Sequence, residues 1–97
     1  MTVPNQGQLF RQAAEKELLA TSLTRYADEL EGVFSGTLAK PQEAHAFWKG
    51  PAADRFATQA GQLRREVGIL AENCRSTAHH LRHQAQILRN EAGQLPA

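Results

Sequence analysis

From Ala53 to Leu88 the chain carries one side-chain stripe at steps of three and four residues in strict alternation. The stripe reads Ala53, Phe56, Ala60, Leu63, Val67, Leu70, Cys74, Thr77, Leu81, Gln84 and Leu88. A mean step of 3.5 keeps such a stripe on one side of an α-helix, whereas a half-buried strand needs a period of two. The spacing therefore predicts a long helix with a coiled-coil-like seam. It starts at about residue 51 and ends near residue 92, just before Gly93, a natural C-terminal stop. Pro51 suits the first helical turn, because the N–H it lacks would be unpaired there anyway.

A second segment with the same rhythm precedes it. Leu19, Leu23, Tyr26, Leu30 and Val33 step by four, three, four and three, and Ala20 and Ala27 widen the apolar face on one side. This predicts a helix over about residues 8–39. Pro41 ends it, since the residue before a proline is pushed out of the helical region. Residues 40–50 form the connecting turn, where Gly50-Pro51 reverses the chain. Ala, Leu, Glu, Gln and Arg are abundant and β-branched residues few, in keeping with an all-α fold. The expected architecture is a single domain spanning residues 1–97, an antiparallel two-helix hairpin.

A lone hairpin buries one side of each helix and leaves the rest uncovered. Chains of 97 residues with a single cysteine have no internal disulfide to compensate. Dimerisation into a four-helix bundle is the expected remedy. Leu19, Leu23, Tyr26, Leu30, Phe56, Leu63, Val67, Leu70, Leu81 and Leu88 are the candidate residues of the dimer or hairpin seam.

The other features narrow the function by exclusion. A net charge of +1 does not favour nucleic acid, and no apolar run approaches the ~20 residues of a membrane span. The opening MTVPNQGQLF has neither the basic nor the apolar region of a cleaved signal peptide, so export by the general route is not expected. His79 and His83 are four apart on one helix face, a spacing that can hold a metal, but no third ligand stands near and a solvated face is expected. Arg75, Arg82 and Arg89 are each seven apart and form a stripe off the seam. It is either a solvated face or a basic contact face for an acidic partner. Asp28, Glu29 and Glu31 read as a hydrophilic helix flank, and Cys74 on the seam as a small buried hydrophobe. No nucleophile–base signature or phosphate-binding glycine loop is present, so neither an enzyme nor a cofactor is expected.

Trp48-Lys49-Gly50 lies in the mid-chain turn. It is followed by Pro51-Ala52-Ala53, an aromatic one turn into the second helix at Phe56, and the spaced Leu63 and Leu70. In this setting the chain resembles the WXG family, the small ESAT-like proteins of type VII secretion systems. The resemblance covers the chain in architecture and about ten residues in motif. It implies a hairpin that dimerises with itself or with a paralogous hairpin, and a non-enzymatic secreted substrate or partner subunit. It also implies export from the cytoplasm without a cleaved signal. Trp48 and Gly50 would then contribute to a recognition surface for the secretion ATPase. Trp48 otherwise packs over the hairpin end. Many exported pairs carry Y-x-x-x-[DE] after the second helix of one partner. This chain ends NEAGQLPA, so a partner is expected to supply that signal. The alternative reading is a cytoplasmic coiled-coil adaptor or chaperone, which gives Trp48 no special role.

Overall fold

The structure, a computed structural model, describes residues 5–33 and 49–95, and the statements below concern these. Two α-helices account for nearly all of them: α1, Gln6–Val33, and α2, Pro51–Gln94. The fold is an all-α helical hairpin. The end of the first expected helix and most of the turn, including Trp48, lie outside the described residues.

Each helix start has a local cause. At α1 the Asn5 side chain accepts from the Gln8 backbone N–H (2.8 Å), and the Gln8 side chain accepts in return from the Asn5 N–H (3.0 Å). Two otherwise unpaired donors are satisfied reciprocally, as in a capping box. This places the start of α1 ahead of the expected residue 8. At α2, Gly50 has φ 115°, and its carbonyl accepts the first helical bond, from Asp54 N (3.0 Å). Pro51 follows in the first turn, as its chemistry predicts. The far end falls at Gln94, close to the expected one, but not through a glycine cap. Gly93 lies inside α2 with no positive φ, and the helix closes with a tighter bond from Leu95 N to Ala92 O (3.2 Å).

The helices divide into two compact units. One joins α1 up to Arg25 with α2 from Cys74 onward, and the other comprises Tyr26–Asn73. In the first unit the pairing is antiparallel. Moving forward seven residues on α1 moves back seven on α2: Glu17 meets Arg89, and Thr24 meets Arg82. The Gln6 side-chain amide donates to the Ala92 carbonyl (3.1 Å) at the outer end.

The buried residues of this unit are Leu9, Ala13 and Ala20 on α1, and Cys74, Ala78, Ala85 and Ala92 on α2. In the other unit they are Ala27, Ala53, Ala60 and Ala71. Apart from Leu9 and Cys74, the core is alanine. A methyl group fills little space, so helices that meet along such a line approach at the short end of the usual interaxial range of about 8–10 Å. This corrects the expected hairpin seam in part. Ala53, Ala60 and Cys74 of the expected stripe are buried, but its large members are not, and a second line of seven-residue steps, Ala71, Ala78, Ala85 and Ala92, is buried beside it. At close approach only small side chains fit between the helix axes, and larger ones are displaced to the sides.

Candidate partner-docking surface

Heptad position sorts the flanks of the alanine line. On one side of the first unit lie Glu17 and Thr24 of α1, with Arg82 and Arg89 of α2. Arg89 grips Glu17 with both guanidinium nitrogens, Nη1 to Oε1 at 2.8 Å and Nη2 to Oε2 at 2.6 Å. The Thr24 hydroxyl donates to its own helix at the Ala20 carbonyl (3.0 Å) and accepts from Arg82 Nη2 (3.4 Å). The expected basic face of Arg75, Arg82 and Arg89 is therefore not a bare cationic strip. Arg82 and Arg89 bridge the two helices, and Arg75 is half-buried and also engaged. Exposed ion pairs add little stability, but a two-pronged one defines which turn of α1 faces which turn of α2.

The Arg89 hydrogen bonds, reinforced by its charge, hold the Glu17 carboxyl below the ordinary value of 4.5, against a smaller opposing effect of desolvation. Arg89 is shifted upward for the same reason. A lowered carboxylate pKa contributes stability that is present above the unfolded-state value and lost as pH falls through the native one. Glu17→Gln should therefore lower the melting temperature slightly at pH 7, and the difference should shrink as the pH falls below the ordinary carboxylate range. Thermal melts followed by circular dichroism over a descending pH series check this.

The other flank is apolar and open. In the first unit Leu19 is 51% exposed, and Leu23, Leu81 and Leu88 are half-buried. In the second unit Tyr26, Phe56, Leu63 and Leu70 are exposed, while Leu30 and Val67 are half-buried. Val33 is also exposed, on the same heptad position as Leu19 and Tyr26. Every large apolar residue expected on the seam thus retains solvent contact within this single chain. Repeated exposure of large apolar side chains on one heptad flank makes this flank the candidate docking surface.

This flank of the first unit holds two shallow hollows. One, of about 330 Å³, is lined by Gln12, Glu15, Lys16, Leu19 and Leu81. The other, of about 250 Å³, is lined by Gln12, Lys16, Gln84, Ile87 and Leu88. Lys16 belongs to both, and its ammonium donates to Gln84 Oε1 at 3.4 Å.

Of the two motif residues, Gly50 is exposed at the start of α2 and Trp48 lies outside the described residues. No group of three or more His, Cys, Asp or Glu among the described residues is placed to hold a metal ion. His80 Nε2 lies 3.1 Å from the Gln84 amide nitrogen, and Cys74 is a buried free thiol. No helix among the described residues is long and apolar enough to cross a membrane. Sequence reading missed the Asn5–Gln8 cap, the cross-helix grip of Arg89, and the place of Lys16 in the apolar flank. The spacing of Asn5 and Gln8 was a usable signal for the first. The other two depend on the register between the helices.

Comparison with protein-family models, characterised proteins and solved structures gave no match to this chain.

Proposed function

We propose that the chain is a small secreted substrate, or the partner subunit of one, in a type VII secretion system, and that it acts through protein–protein contacts. The observation that carries this reading is Trp48-Lys49-Gly50 standing immediately ahead of α2 in a two-helix hairpin. The positive φ of Gly50 supports it, because the glycine of the motif occupies a backbone conformation that L side chains rarely adopt. The open leucine flank supports the pairing half of the reading: it is the kind of surface that a second helical hairpin covers in a four-helix bundle. In this reading the paired protein is held in the cytoplasm until the secretion ATPase engages the turn around Trp48, and it leaves without a cleaved signal.

Export tests this directly. In the source cell, deleting the ATPase of the cognate secretion system should remove the protein from the culture medium while its level inside the cell is maintained. Undiminished export in the deletion strain would sink the reading and leave the cytoplasmic adaptor in its place.

A further inference from the structure

We propose that His79 and His83 form a two-imidazole site for a divalent transition-metal ion of the nickel or zinc kind. The site lies on the exposed face of α2 in the first unit, away from the alanine line, and it is independent of the secretion reading.

Helix geometry is the first ground. Pro51–Gln94 is one unbroken α-helix, so His79 and His83 stand one turn apart on the same side, with about 5–6 Å between their β-carbons. Both are exposed. Two imidazoles so placed reach a single ion at the roughly 2.0–2.1 Å of a metal–nitrogen bond. Both ligands come from one rigid element, so no loop has to be ordered to make the site.

The neighbouring histidine singles out the pair. Gln84 Oε1 accepts from the Lys16 ammonium (3.4 Å), which turns its amide nitrogen toward His80, 3.1 Å from Nε2. An amide nitrogen only donates, so the lone pair of His80 at that atom is already used. Among the described residues no hydrogen bond or ion pair engages His79 or His83. His80 and His83 are also close on the helix, three residues apart, but the pair with both rings uncommitted is His79 and His83.

The surroundings select the ion. Between Glu72 and Glu91 α2 carries no carboxylate, and Glu17 of α1 is gripped by Arg89. Ions that need oxygen ligands, such as Mg2+ and Ca2+, find no anionic group beside the pair and meet the positive charge of Arg75 and Arg82 on the adjacent stripe. Ions that bond strongly to imidazole nitrogen are the ones the pair suits. No third His, Cys, Asp or Glu joins it among the described residues, so water completes the coordination.

Isothermal titration calorimetry of the untagged full chain with Ni2+ at neutral pH tests the site, with Mg2+ as the blank. Ni2+ rather than Cu2+ spares the free thiol of Cys74 from oxidation. A single ion per chain is expected. His79→Ala and His83→Ala should each weaken binding at least about tenfold, whereas His80→Ala should change it less than about threefold. The metal-free variants should melt alike, since all three side chains are exposed. Ni2+ should raise the melting temperature of the parent and of His80→Ala, because the ion favours the helix that sets its two ligands. It should leave His79→Ala and His83→Ala where they stand without metal. A parent that binds no Ni2+ would overturn the proposal, as would a His80→Ala loss as large as that of His79→Ala. Full binding by the His79→Ala, His83→Ala double variant would place the ion elsewhere and overturn it too. None of these outcomes bears on the secretion reading.

Discussion

Replacing Ala78 by leucine should destabilise the hairpin by about 1–3 kcal/mol, the usual cost of forcing extra methylenes into a closed contact. For a domain of this size each kcal/mol lowers the melting temperature by about 4–8 °C. The reason lies in the alanine line. Ala78 is fully buried although it is the smallest chiral residue, so the opposing helix leaves room for a methyl group and little more. A leucine there must push α1 away, and that strains the neighbouring Arg82–Thr24 and Arg89–Glu17 bridges. Ala20→Leu on α1 should behave in the same way, because Ala20 is equally buried. Ala14→Leu is the matched control. Ala14 is exposed on α1, and the same added atoms should change stability by no more than about 0.5 kcal/mol. Melting temperatures of the three variants check this. A neutral or stabilising Ala78→Leu would mean that the helices are held apart by leucines and that the alanine line is incidental.

Trp48→Ala should cut the amount of protein reaching the medium by tenfold or more, while leaving its helicity and intracellular level intact. Gly50→Ala should fail differently. At φ 115° a β-carbon is strained whatever space surrounds it, even though nothing stands within 4 Å of the site. The strain is of order 1–3 kcal/mol, so Gly50→Ala should lower the melting temperature as well as export. The two residues of the motif thus separate by mechanism, with Gly50 acting through the backbone at the start of α2 and Trp48 through its side chain. Melting curves of the purified variants, set beside immunoblots of medium and cells, distinguish the two. Normal export of a folded Trp48→Ala protein would remove the tryptophan from recognition.

The all-α hairpin was legible because helix periodicity and the Gly50-Pro51 break are local properties of the chain. The start of α2 at Pro51 followed from proline's own chemistry. The core was harder to read. The expected stripe mixes large residues with Ala53, Ala60 and Cys74, and alanines stepping by seven run beside it, while hydrophobicity favours the leucines. Which line faces the other helix depends on how closely the axes approach. The methyl groups of Ala71, Ala78, Ala85 and Ala92 permit that approach, but only a pairing of both helices reveals it. The arginine stripe is a similar case. Its seven-residue spacing was visible, yet its meaning depends on Glu17 and Thr24 having the same spacing on α1 in the reverse direction. Lys16 interrupts the leucine rhythm. It reads as a defect in a seam until the hollows on either side of it are seen.

The proposed function rests on the open leucine flank being covered by a partner, and one measurement tests that most directly. The purified 10.7 kDa chain should be weighed in solution by light scattering across a wide concentration range, with helicity recorded on the same samples. A helical species of twice that mass is expected, dissociating on dilution, because Leu19, Leu63 and Leu70 need a cover that one hairpin lacks. A cooperatively folded, helical monomer of 10.7 kDa at every concentration would contradict this, and would mean that the alanine line alone sustains the fold.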